Sequence, residues 1–303
     1  MSMGKLLITG GSGFTGRHLI ETAMRQGYEC VCLSHTADDT VETDVATVIA
    51  DLLDSDSLAD AVATARPDFV VHLAAQANVA SGDLATTYQT NLVGTVNLLE
   101  TLREADNPVQ RVVLASTANL YGRVKQLPIS EATSAQPTNH YSVSKWAMEL
   151  AAGLFDSMSI VITRPFNYTG VGQSTDFVVP KIVSAYAQNS DELTLGNIDV
   201  ARDFSDVRDI AMDYLTLLQG NPPPVVNLCS GRATSIRQLI ETLESISGHR
   251  LIIRSSNELR RSGDIDTLYG QPNAFVLESG RDQRIPLEST LTWMLGAGNE
   301  PPS

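Results

Sequence analysis

The chain has 303 residues, 43% of them hydrophobic and 18% charged, with a formal net charge of -14 and a pI near 4.7. That length can bury a sizeable core, while the acidic balance disfavours nucleic acid or an anionic membrane as partner, because surfaces that neutralise phosphates carry excess Lys and Arg. Nowhere does the chain hold the run of about eighteen apolar residues that a membrane span needs, and its N-terminus lacks a signal-peptide pattern, so a cytoplasmic location is expected.

The predicted elements begin with the strand "KLLIT", followed by a helix over 14–26. Next come the strands "YECVCL" and "TVIAD", a helix over 55–65, the strand "FVVHLAA", a helix over 84–105, "RVVLAS", a helix after Tyr141 and "SIVIT". Such βα alternation predicts a doubly wound, Rossmann-type parallel sheet covered on both faces. After "RPFNYTG" the rhythm loosens, with helices expected near 177–189, 206–219 and 235–247 and a short strand "VVNL" after the turn "NPPP". The expected organisation is a dinucleotide-binding domain over 1–165 and a substrate lobe over 166–303, with parts of 200–230 returning to the first domain. Cys30, Cys32 and Cys229 are odd in number, and the first two alternate along a strand, which suits packing as reduced thiols.

Directly after the first strand stands "TGGSGFTG", with Gly10, Gly13 and Gly16 spaced G-x-x-G-x-x-G and Phe14 and Thr15 opening the helix. Glycines there allow a tight turn and let a pyrophosphate approach the backbone, facing the free N–H groups of the helix N-terminus. An NAD site would be expected to place an acid at the tip of the second strand. Here the tip reads "CLSHTADD": Ser34, His35 and Thr36 precede the first acids, Asp38 and Asp39, and no Arg lies between Arg25 and Arg66. The missing carboxylate favours NADP(H), and the missing Arg leaves NAD(H) open. Asp51 and Leu52 of "IADLLD" follow the third strand, where they could meet the adenine or, for Asp51, cap a helix.

The stretch "HYSVSK" places Tyr141 and Lys145 at i,i+4, on one helix face. A tyrosine with an ordinary pKa of about 10 is a poor acid or base at neutral pH, and a neighbouring ammonium favours its phenolate.

The ordered set "TGGSGFTG", "VVHLAAQ", "TNLVGTVNLLE", "LASTANLYG", "YSVSK", "RPFNYTGVGQ", "RDFSDVRD" and "VNLCSG" resembles the extended short-chain dehydrogenase/reductase family of nucleotide-sugar-modifying enzymes over nearly the whole chain. Within it, "RPFN" to "RDFSDVRD" is most similar to GDP-4-keto-6-deoxy-D-mannose reductases and GDP-mannose 4,6-dehydratases. The resemblance implies that Tyr141 exchanges a proton at a sugar carbonyl and that Lys145 also holds the nicotinamide ribose. It makes Thr117 the third hydroxyl, with Ser116 beside it, and Asn91 the support of the lysine through water. Leu73, Ala74 and Ala75 would line the cofactor. For a nucleotide-diphospho-sugar, the implied contacts are Asn167, Phe177, Val178, Lys181, Arg202 and Arg261; an arginine fork suits a diphosphate.

One departure is discriminating. Dehydratases of this family carry a glutamate two residues after the catalytic threonine, and here that position is Asn119, whose amide cannot exchange protons as a carboxyl does. The resemblance then implies reduction of the C4 ketone of GDP-4-keto-6-deoxy-D-mannose, to GDP-D-rhamnose or its C4 epimer GDP-6-deoxy-D-talose. A 4-epimerase with retained NAD is the alternative, and a non-catalytic dinucleotide-binding regulator the remote one. Val171, Tyr168 and His140 depart from the family's usual proline, histidine and proline. The five histidines show no metal-ligand spacing. Helices 84–105 and 141–155 match those that form a four-helix homodimer interface in the family, and their apolar faces could equally be core.

Overall fold

The structure, a computed structural model, describes residues 2–36, 45–76, 83–256, 266–278 and 284–297. Seven parallel strands form the central sheet in the order β10-β6-β5-β4-β1-β2-β3: Val225–Leu228, Ile160–Pro165, Arg111–Ala115, Phe69–His72, Lys5–Thr9, Glu29–Ser34 and Ala46–Ile49. The central strands are continuous apolar runs because both faces are covered. On one face Leu6, Ile8, Val71 and Val113 pack on Leu19 and Ile20 of α1 (Phe14–Arg25) and on Ile210 and Tyr214 of α7 (Val207–Leu217). On the other face Leu7, Val70, Val112 and Leu114 meet Leu58 of α2 (Ser55–Ala65), Leu98 and Leu102 of α4 (Gly94–Glu104) and Met148 of α5 (His140–Ala152).

The helix expected over 84–105 is three pieces in one rod: α3 (Leu84–Tyr88), a π-helical turn over Gln89–Val93, and α4. The expected strand "VVNL" is β10, which pairs with β6 at the edge of the central sheet.

The remaining strands are short. β7 (Asn167–Thr169) lies beside β9 (Ala201–Asp206), with Tyr168 opposite Ser205, and β11 (Ala233–Ser235) and β13 (Thr267–Leu268) flank β9. β8 (Glu192–Leu195) pairs with β12 (Ile252–Ser255). α6 (Val178–Ala187), α8 (Ile236–Ser247) and α10 (Leu287–Ala297) enclose a separate core around Ile182, Leu239, Leu243 and Leu291. The short helix α9 (Ala274–Leu277) packs on α7 through Val276 and Phe275. Cys30, Cys32 and Cys229 are buried and form no disulfide.

Candidate active site

The glycine loop leaves β1 through Gly10, at φ +69°, where an added Cβ would sit 2.8 Å from the Ala74 nitrogen. At Gly16 a Cβ would collide with the carbonyl of Gly10 and the backbone of Gly11, and at Gly11 with the Cys32 sulfur. Gly13 is less constrained, 3.2 Å from the Gly10 carbonyl, and it is the N-cap of α1 without any side-chain cap. The first turn of α1 has no acidic residue, and its N–H groups have no intrahelical acceptor, so the loop fits a dinucleotide pyrophosphate. Gly11 was not singled out in the sequence, because what requires it is the cysteine on the next strand.

Leu73, Ala74 and Ala75 leave β4 beside this loop, Ala74 donating its N–H to Thr9 Oγ1 at 3.1 Å. At the far end, Ser34 is buried with its hydroxyl 3.5 Å from Cys32 Sγ, whereas exposed His35 stands 3.6 Å from Asp51. Asp51 folds back to accept from the Leu53 N–H at 2.9 Å, and the cap of α2 is Asp54, which accepts from Asp56 and Ser57. Leu52 is buried and packs under Gly94. Asp38 and Asp39 lie outside the described residues.

A capping box fixes where α5 starts: Asn139 accepts from the Ser142 N–H at 2.9 Å, and the Ser142 hydroxyl faces the Asn139 N–H at 3.3 Å. Tyr141 therefore falls in the first turn and Lys145 one turn later. The Thr117 hydroxyl accepts from the Asn119 N–H at 3.1 Å and is also a hydrogen-bond partner of the Tyr141 phenol. Burial pushes the Tyr141 phenol up to about 12, the neighbouring Tyr168 adds to the rise, and the Thr117 hydrogen bond opposes it. Lys145 Nζ donates to the Ala115 carbonyl at 2.7 Å, and burial brings the ammonium down to about 8 against the pull of Glu149. Burial is the largest of these influences on the phenol, so at neutral pH Tyr141 keeps its proton.

Asn91 is fully buried in the π-helical turn. Its side chain accepts from the Gln76 N–H at 2.8 Å, donates to the Gln76 carbonyl at 3.2 Å, and donates to the Ser144 hydroxyl at 3.0 Å. Ser144 in turn donates to the Tyr141 carbonyl at 2.8 Å. The Asn91 side chain bonds Ser144, beside the lysine in the chain. Ser116 is buried with no hydrogen-bond partner for its hydroxyl, an unpaired polar atom next to Thr117. Asn119 is exposed in the 3-10 turn Ala118–Tyr121.

On the lobe side, Phe177 and Val178 are exposed at the N-terminal end of α6 and Lys181 is exposed one turn along. Asn167 is exposed on β7, and Arg202, on neighbouring β9, donates to the Ala201 carbonyl at 2.9 Å. Arg261 lies outside the described residues. Tyr168 was noted in the sequence only as a departure. Its ring stacks on Phe14 with centroids 6.0 Å apart, and its hydroxyl meets that of Thr15 at 2.8 Å, tying β7 to the glycine-loop helix.

Residues 7–276 match the family model described as GDP-mannose 4,6 dehydratase. The chain is 34% identical to a GDP-6-deoxy-D-talose 4-dehydrogenase of Aggregatibacter actinomycetemcomitans, over 93% of each chain. To a GDP-6-deoxy-D-mannose reductase of Pseudomonas aeruginosa it is 38% identical over 85% of each. Among solved structures it superposes on RMD from Pseudomonas aeruginosa complexed with NADPH (TM-score 0.83, 33% identity, 98% of this chain and 97% of that one). It also superposes on UDP-glucose 4-epimerase from Brucella ovis in complex with NAD (TM-score 0.85, 25% identity, 97% and 98%). The glycine loop and the Thr117, Tyr141 and Lys145 cluster sit on a fold shared with these proteins, and the chain belongs to the GDP-mannose 4,6-dehydratase-like family of extended short-chain dehydrogenases/reductases, as an NAD(P)-dependent oxidoreductase.

Proposed function

We propose that this enzyme reduces the C4 ketone of GDP-4-keto-6-deoxy-D-mannose, yielding GDP-D-rhamnose or its C4 epimer GDP-6-deoxy-D-talose. A nicotinamide held at the glycine loop would supply the hydride, with NADP(H) favoured by the acid-free tip at Ser34 and His35. Tyr141 gives its phenolic proton to the C4 oxygen as negative charge develops there. Thr117, its hydroxyl already oriented by the Asn119 N–H, hydrogen-bonds the same oxygen. Lys145 holds a cationic charge beside the phenol and steadies the nicotinamide ribose, while the unpaired Ser116 hydroxyl offers a further contact. Asn167, Phe177, Val178, Lys181, Arg202 and Arg261 are proposed to hold the nucleotide and its diphosphate.

The reading rests above all on Asn119. With an amide where dehydratases of the family have a carboxylate, the site retains the groups for hydride transfer and lacks the acid–base for removing water. A protonated Tyr141 at neutral pH suits reduction, since alcohol oxidation would begin from the phenolate. The test is cofactor oxidation by the pure protein when the keto sugar is generated by a separate dehydratase, with NADPH and NADH side by side. Oxidation supports the reductase; no oxidation, with stoichiometric NAD carried through purification, would replace it with a 4-epimerase.

We further propose two functional parts, residues 1–165 with much of 200–230 for the dinucleotide and the rest for the sugar nucleotide, and a homodimer. Val93, Val143, Leu150 and Leu154 are exposed apolar residues along the π-turn, α5 and the turn that follows it, a surface suited to a four-helix interface. Sedimentation of the full chain at micromolar concentration tests the dimer.

A further inference from the structure

We propose that His72 is a positioning residue for the reaction: its neutral ring bridges Thr9 and Thr95 and thereby fixes the π-helical turn that carries Asn91. The inference rests on the reading of Asn91 and Tyr141 as part of the active site. His72 ends β4 and is almost completely buried. Its Nδ1 lies 2.7 Å from Thr9 Oγ1 and its Nε2 3.0 Å from Thr95 Oγ1.

The tautomer follows from the partners. Thr95 donates its only hydroxyl proton to the Asn91 carbonyl at 2.9 Å, so toward His72 it must accept, and Nε2 carries the ring proton. Nδ1 then accepts from Thr9, whose oxygen accepts in turn from the Ala74 N–H at 3.1 Å. Every bond points one way along Ala74, Thr9, His72, Thr95 and Asn91. From Asn91 the connection continues through its side chain to Ser144 and the Tyr141 carbonyl. One buried chain therefore joins the strand end before the glycine loop, the exit of β4 and the start of the catalytic helix.

A ring that merely filled space would not need both nitrogens paired, and an apolar residue of that volume would cost less to bury. The π-helical turn supplies the reason for the polarity. It interrupts the regular i,i+4 ladder of the rod, and such turns are held by local partners, here Thr95 on the carbonyl of Asn91 and Gln76 on its side chain.

The test uses the full-length enzyme with His72→Asn, which can keep the Thr9 bond but cannot reach Thr95, and His72→Gln, whose amide N–H can. Thr95→Val and the double variant His72→Asn/Thr95→Val complete the set. His72→Asn and Thr95→Val should each lower kcat about tenfold, with cofactor affinity changed less than about threefold, and the double variant should be no worse than either alone. His72→Gln should return to within about threefold of wild type. A stabilising role alone would change the melting temperature and the folded fraction, and leave kcat per cofactor-binding site unmoved. Losses that add, kcat within about twofold in both single variants, or Gln no better than Asn would overturn the proposal. If the variants fail to fold, the ¹⁵N shifts of wild-type His72 decide, a proton on Nδ1 being incompatible with the chain. If the wild type reduces no such sugar, the functional reading falls, and the ring tautomer with amide exchange over 89–95 in His72→Asn still decides this one.

Discussion

The Tyr168 hydroxyl meets the Thr15 hydroxyl at 2.8 Å, joining β7 to the first turn of the helix behind the glycine loop. Tyr168→Phe keeps the stack on Phe14 and loses this one bond. Such a bond contributes about 1 kcal/mol, so the variant should bind the nicotinamide cofactor roughly three- to tenfold more weakly, with kcat within about twofold, as read by fluorescence titration and saturation kinetics.

Tyr141→Phe removes the proton donor and little else, since the ring is held by α5. Loss of a positioned general acid should lower kcat about 10²- to 10⁴-fold while cofactor affinity stays near wild type. Wild-type turnover by this variant would remove Tyr141 from the chemistry.

The high-pH limb of the reaction should report Lys145. Its ammonium titrates near 8 because burial outweighs the Glu149 carboxylate, and the reduction needs the charged form. The rate should therefore hold through neutral pH and fall as pH rises above about 8. Glu149→Gln takes away the opposing carboxylate and should move the limb to lower pH. It also unpairs Arg164, which Glu149 contacts at 2.6 Å with both side chains buried, so a destabilisation of about 3–5 kcal/mol should accompany the shift in urea titrations.

His72 makes stability depend on acid. Its folded pKa is near 3, below the ordinary value of about 6.5, because the buried ring disfavours charge and Lys145 lies close by. Between those values the unfolded chain binds the proton and the folded chain does not, so stability falls with decreasing pH. From pH 6.5 to 5 this one group should cost up to about 2 kcal/mol. His72→Gln should lose that part of the slope, which denaturation at the two pH values would reveal.

The parallel sheet and its glycine loop were legible because the strands are unbroken apolar runs and the glycines serve backbone needs that no other residue meets. The i,i+4 pair and the hydroxyl before "YG" also fell where the structure brings them together. Other features were hidden for particular reasons. The π-helical turn inserts its irregularity into an apolar period that runs on from 84 to 104, so the pattern reads as one helix and Asn91 could pass for a surface residue. A single histidine on an apolar strand gives no sign that both nitrogens are engaged, because Thr9 and Thr95 are distant in sequence. Asp51 could have capped a helix, and the structure gives that place to Asp54. The lobe strands are two to six residues long and mixed in polarity, so backbone pairing rather than side-chain period defines them.

The packing of α7 over α1 has a consequence for biosynthesis. The inward face of α1, with Leu19, Ile20 and Ala23, is covered by Ile210, Ala211, Tyr214 and Leu215, residues that leave the ribosome almost two hundred positions later. The strand beside it, β1, is also flanked by β2 and β4 long before that cover exists. A nascent chain therefore presents a half-sheltered sheet through most of its synthesis, and a product that stops after β6 would carry the whole glycine loop on a helix that has the sheet behind it and no α7 beside it. Quality control in the cell has a long window in which to meet that surface, and the last third of the protein decides whether the first third is kept.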